Sequence, residues 1–181
     1  MKFTTKEIIL TALFTALIAV GAFLQVPLLY VPFTMQIMFT TLAGLLLGKK
    51  FGTVSVLLYI LIGLAGIPIF SKGGGIGYVF QPTFGYIIGF LAGTYITGSI
   101  AQKDKNPTMK RLLSASFIGM AAVYIIGLIY FYLIKTVYLS SYISLYNLLL
   151  IGFFMPVPGN ILSLILGAFI AKRILPHIER K

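Results

Sequence analysis

The sequence predicts an all-α integral membrane protein with six transmembrane helices, and three observations carry that reading. The chain is 59% hydrophobic and 9% charged, where a soluble domain is about 45–50% apolar and about 25% charged. Its apolar runs suit helices, which need about 20 residues to cross a bilayer, and none shows the alternation of a membrane barrel strand. Its lysines and arginines fall on alternate connections between those runs. The apolar segments lie at 6–26, 33–48, 51–68, 82–101, 110–134 and 147–171, within a single membrane domain over 1–181.

In the first segment Lys2 and Lys6 precede the apolar stretch Ile8 to Val26. That stretch is longer than the roughly 7–15 residues of a secretory core and lacks a small-x-small cleavage site before Pro27, so it is a retained helix. The second segment, Phe33 to Gly48, is short for a full crossing. Pro27 and Pro32 flank an irregular piece ahead of it, and the helix is expected to begin inside the protein.

Between the third and fourth segments the stretch Pro68 to Phe90 is too rich in glycine to span. Gly73, Gly74, Gly75 and Gly77 allow close backbone approach, while Phe70, Tyr78, Phe80 and Tyr86 supply flat surface with hydroxyl tips. Gln81 adds an uncharged amide that donates and accepts. The stretch reads as a loop lining a site or as a glycine connector.

Small residues let helices approach in lipid, and three rows stand at i, i+4 spacing. Gly85, Gly89 and Gly93 on the fourth segment and Ser163, Gly167 and Ala171 on the sixth suit packing within the chain. Ala12 and Ala16 on the first, beside Thr11 and Thr15, suit either internal packing or partner docking.

The formal net charge is +11, yet its distribution points to membrane topology rather than nucleic acid. With six crossings, Lys2, Lys6, Lys49, Lys50, Lys103, Lys105, Lys110, Arg111, Lys172, Arg173, Arg180 and Lys181 share the side of the termini, and only Lys72 and Lys135 take the other. The positive-inside rule then makes both termini cytoplasmic in a multi-pass plasma-membrane protein of bacterial type, with the glycine-aromatic loop facing outward. The acids Glu7, Asp104 and Glu179 join the cytoplasmic side.

Several chemistries are excluded. A phosphate-cradling loop needs G-x-x-x-x-G-K-[ST], and Gly44 to Lys50 has neither the glycine spacing nor the hydroxyl. No acid lies at membrane depth and His177 follows the last span, so no proton relay is visible. Ser55, Ser99 and Ser163 have no activating His or Lys beside them, and without cysteine no thiolate metal site forms. The chain is expected not to be an enzyme and to need no cofactor or metal. What remains is recognition of a small molecule by uncharged groups: Gln36, Gln81, Tyr86, Asn160 and Ser163 are the candidates at membrane depth, each serving either a ligand or a neighbouring helix.

The strings PFTMQ, LAGLLLG, GTVSVLLYILIGLAGIPIF, GGGIGYVFQPTFGYIIGF and PGNILS together resemble the BioY family, the membrane-embedded S components that capture biotin for energy-coupling factor transporters. The likeness is close over 27–100 and looser over 155–167. It implies a six-helix S-component fold, with a vitamin pocket near the outer surface and residues Gln36, Phe70, Gly74, Gly75, Tyr78, Gln81, Tyr86, Asn160 and Ser163 as the candidates to form it. It also implies docking on a transmembrane T component with two ATPase subunits, for which Ala12 and Ala16 match the small-x-x-x-small pattern on the first helix. Biotin-specific members carry a G-D-L-L-K type run at the start of the last helix. Here Gly159, Asn160, Ile161, Leu162 and Ser163 replace it, so an amide and a hydroxyl stand where an acid and a lysine contribute to the pocket. Losing both charges together leaves no unpaired ion. Biotin is the first candidate ligand and lipoate, which lacks a ureido group, the second; a membrane scaffold with no transport role is the alternative of another class.

Overall fold

The computed structural model describes residues 4–26, 31–104 and 106–177. Lys2, Pro27, Lys105, Glu179, Arg180 and Lys181, named above for charge or chain direction, lie outside them. Helix α1, Thr5–Phe23, opens with a capping box in which Thr4 Oγ1 accepts from the Glu7 N–H and the Glu7 carboxylate accepts from the Thr4 N–H. It stops short of the expected boundary. Gln25–Val26 form strand β1, paired antiparallel with Phe33–Thr34 as β2. The ribbon satisfies backbone groups that an irregular entry would leave open in lipid.

Helix α2, Gln36–Leu64, contains one non-helical residue, Gly48, at φ 78° and ψ −175°, a region open in practice only to glycine. There the chain turns back on itself. A straight helix would separate Gln36 from Tyr59 by about 35 Å, yet Gln36 Nε2 donates to the Tyr59 hydroxyl at 2.8 Å. Gly52 lies so close to Ala43 and Gly44 that a Cβ there would meet the Ala43 carbonyl at 2.7 Å. The two arms, 36–47 and 49–64, are therefore an antiparallel hairpin.

A loop with a bridge between Phe70 and Gly73 and a 3₁₀ turn at Ile76–Phe80 leads to α3, Phe84–Ala101. Helix α4, Met109–Leu133, packs on α3 across glycine. A Cβ on Gly89 or Gly93 would strike the Val123 or Gly119 carbonyl at 2.8 Å, so this row works within the chain. Gly167 in turn faces Met38 and Leu42 of the hairpin.

A π-helical turn, Ile134–Tyr138, extends α4. The last segment is broken into α5, Leu145–Leu149, a π turn at Leu150–Phe154, and α6, Val157–Ile174, rather than the single helix over 147–171 that the apolar run suggests. Pro156 and Pro158 remove N–H donors there. Among the described residues five helical stretches are long and apolar enough to cross a membrane, the hairpin α2 being one of them.

Basic residues gather at one end. The Lys49 N–H donates to Gln102 Oε1 at 3.1 Å, Arg111 pairs with Asp104 and donates from Nε to the Ile100 carbonyl, and Lys172 Nζ donates to the Pro107 carbonyl at 2.9 Å. Two apolar cores fill the bundle, one around Phe14, Leu45 and Leu112, the other around Ile18, Tyr59 and Phe131. The outer face is itself apolar, with Ile9, Ile125, Ile129 and Leu162 well exposed, as lipid contact requires.

Gly48→Ala places a Cβ into the Gln102 side chain and into backbone space that costs about 1–3 kcal/mol. It is expected to lower the melting temperature of the detergent-purified protein by about 2–12 °C. Gly77→Ala, with nothing within 4 Å of its Cβ, is expected to melt as wild type. Scanning fluorimetry of the two variants checks the contrast.

Candidate functional site

At the end of the bundle opposite the basic residues lies an open cavity. The entry ribbon supplies Val31, Pro32 and Thr34; the start of α2 supplies Gln36 and Ile37; the loop supplies Ser71 and Tyr78. Thr83, Tyr86, Ile87 and Phe90 come from the start of α3, Val123 and Tyr124 from α4, and Pro156 and Asn160 from the start of α6. None of these residues is charged.

The start of each helix projects its polar residue into the bundle, where hydrocarbon depth forces pairing. Gln36, buried, donates to Tyr59, and the Tyr59 hydroxyl donates to the Ile69 carbonyl at 3.3 Å. Asn160 is 8% exposed and its Nδ2 donates to the Tyr124 hydroxyl at 2.7 Å, while its Oδ1 has no partner among the described residues. Whichever way round the amide stands, Tyr124 answers one of its ends and leaves the other. The Tyr86 hydroxyl donates to the Gly152 carbonyl at 2.8 Å, and the Tyr124 ring sits edge-on to Phe153, centroids 5.0 Å apart. Two cavity tyrosines thus hold the π turn that precedes α6.

Gln36, Tyr78, Tyr86 and Asn160, named from sequence, are brought together on the cavity wall. The other five candidates are not. Phe70 is fully buried among Tyr59, Tyr78 and Phe84. Gly74 lies against the Ile67 carbonyl, and the Gly75 N–H donates to the Gly63 carbonyl at 2.7 Å. These glycines serve the path of the loop over the end of α2. Gln81 is exposed, and its carbonyl accepts from the Phe84 N–H. Ser163, nearly one turn beyond Asn160, is buried with its hydroxyl 3.8 Å from Met35 Sδ.

Sequence reasoning passed over Tyr124 and Thr83. A tyrosine at mid-membrane is itself a signal, because its hydroxyl needs a partner there. On α1 the face is divided: Thr11, Thr15 and Ile18 are buried, Thr15 Oγ1 lying 3.1 Å from the Ser55 carbonyl, while Ala12 and Ala16 are exposed.

Comparison with known proteins agrees with this architecture. The model of the BioY family matches residues 1–180. The chain is 42% identical over 171 residues to a probable biotin transporter BioY of Lysinibacillus sphaericus, covering 94% of this chain and 87% of the relative. It is 34% identical over 171 residues to the biotin transporter BioY of Thermotoga maritima, covering 93% and 95%. Its fold matches the crystal structure of the S component for biotin from an ECF-type ABC transporter, with a TM-score of 0.83 and 26% identity over 96% of this chain and 94% of that one. With the fold of a biotin S component, and with relatives matched over nearly their whole length, the chain belongs to the BioY family.

Proposed function

We propose that this chain is the biotin-capturing S component of an energy-coupling factor transporter. The observation that carries the reading is the cavity, uncharged among the described residues, in which buried Asn160 keeps one amide atom without a partner among those residues. A ureido group offers two N–H donors beside a carbonyl and answers either end of that amide. The apolar wall of Ile37, Ile87, Phe90 and Val123 suits a thioether ring and an alkyl chain. Lipoate has the chain and a sulfur ring but no N–H, so it would leave the Asn160 atom unpaired. The relatives, biotin transporters and a biotin S component by name, support the same reading.

The α2 hairpin is counted as two crossings, which makes six and puts both termini on one side. The basic end, with Lys49, Arg111 and Lys172, is then cytoplasmic and the cavity opens outward. The chain acts as a binding subunit rather than an enzyme. Uphill uptake needs energy that a bare cavity does not supply, so the partners are a T component and two ATPase subunits. The exposed Ala12 and Ala16 mark where α1 meets the T component, since small residues there permit close helix approach.

Isothermal titration of the purified protein is expected to show sub-micromolar biotin binding, with lipoate weaker by at least about tenfold. Asn160→Leu is expected to weaken biotin by about 1–3 kcal/mol, roughly 5- to 150-fold, and to narrow the biotin-to-lipoate ratio. Folded protein silent toward both ligands would return the cavity to a packing defect of a scaffold.

Replacing Ala12 and Ala16 together by Leu is expected to abolish vitamin accumulation in cells carrying the T component and ATPases while leaving biotin affinity of the isolated subunit unchanged. Uptake counting and titration of the same variant separate the two; full uptake would assign docking to another surface.

A further inference from the structure

The head of the last long helix cannot be held by its own backbone alone. In a continuous α-helix the Gly152 carbonyl would accept from the N–H four residues on, and that residue is Pro156; the Phe154 carbonyl meets Pro158 in the same way. The segment ahead of α6 runs instead as a π turn, closed by a bond from the Met155 N–H to the Leu150 carbonyl at 3.0 Å, an irregularity frequent at functional sites. An open carbonyl at hydrocarbon depth is costly. Tyr86 supplies a donor from α3, its hydroxyl 2.8 Å from the Gly152 oxygen.

Tyr86 is fitted to that place from both sides. A Cβ on Gly127 of α4 would run into its ring, and one on Gly152 would meet its hydroxyl at 2.7 Å. The ring also stands edge-on to Tyr124, centroids 6.0 Å apart, and Tyr124 in turn holds Asn160 through its hydroxyl and Phe153 through its ring. Tyr86 thus reaches Asn160 by two routes, the π turn before it and the tyrosine beside it.

We propose that Tyr86 is a positioning residue for Asn160: by holding the Gly152 carbonyl it fixes the head of α6, and the discrimination between ligands that Asn160 exercises depends on that bond. The role rests on the vitamin-capture reading above. Because its O–H is engaged by backbone, Tyr86 acts on the ligand through α6 rather than by donating to it.

The test titrates the full chain in detergent with biotin and with lipoate. Two variants break the same bond from opposite ends. Tyr86→Phe removes the donor and keeps the ring, whereas Gly152→Ala places a Cβ against the hydroxyl at a residue that is not among the described ones lining the cavity. Each is expected to weaken biotin by at least about tenfold and to narrow the biotin-to-lipoate ratio. Added to Asn160→Leu, neither is expected to weaken biotin further, because the residue to be positioned is gone. Should Gly152→Ala fail to fold, the cycle of Tyr86→Phe with Asn160→Leu decides alone. Loss in Tyr86→Phe without loss in folded Gly152→Ala, losses that multiply with that of Asn160→Leu, or an unchanged ratio in folded Tyr86→Phe each overturns the positioning role alone. Failure of folded wild type to bind either ligand overturns the vitamin reading and this role with it.

Discussion

The reversal at Gly48 is the constraint on which the rest of the molecule depends. A residue with a Cβ cannot adopt that backbone without strain, and the space it would occupy is filled by Gln102 at the end of α3. Gly98 presses against the backbone of Gly48 and Lys49 from the same helix, so the turn is fixed from outside as well as from within. Because the chain folds back there, the start of α2 returns to the level of Tyr59, and Gln36 finds its partner. The same reversal puts Lys49 and Lys50 at the end where α3 finishes and α4 begins, leaving the opposite end free of positive charge except at Lys72 and Lys135.

Satisfaction of polar atoms then orders the interior. Thr94 Oγ1 donates to the Thr40 carbonyl at 3.1 Å, Thr97 Oγ1 to the Ala115 carbonyl at 3.2 Å, and Ser116 Oγ to the Leu112 carbonyl at 2.8 Å. Hydroxyls on glycine-lined faces thus close onto backbone oxygens of the same or the neighbouring helix, the usual fate of such groups in lipid. At the cavity wall Asn160 keeps one amide atom without a partner among the described residues. The aromatic cluster of Phe70, Tyr59, Tyr78 and Phe84 seals the cavity from beneath the loop, which explains why the glycine-rich stretch contributes structure to the site more than contact surface.

Much of the helical architecture is legible because lipid demands long apolar runs, and the break before Lys49 is marked by a run too short to cross. The two-residue strands are not legible, since their pairing depends on where Gln25 and Thr34 meet rather than on local preference. Nor is the π turn at Leu150–Phe154, held by Tyr86 from another helix. At the cavity, Gln36 and Asn160 are conspicuous as amides in hydrocarbon, and Tyr78 and Tyr86 stand in a stretch already marked by glycine. The loop candidates Gly74 and Gly75 stand off the cavity wall because their close approach is to the end of α2, and glycine at a close approach looks the same in sequence whether the neighbour is a ligand or a helix end. Tyr124 is one of 11 tyrosines and only its position opposite α6 sets it apart. Thr83 reads as an ordinary helix cap, but its backbone is helical and its side chain makes no cap bond.

The cavity wall joins residues from the entry ribbon, Val31 to Thr34, with Pro156 and Asn160 at the head of the last long helix. Its pieces are thus synthesised at nearly opposite ends of the chain. Tyr124 and Tyr86 take their partners, Asn160 and the Gly152 carbonyl, from segments made after them. The wall is therefore complete only when the last long helix is in place.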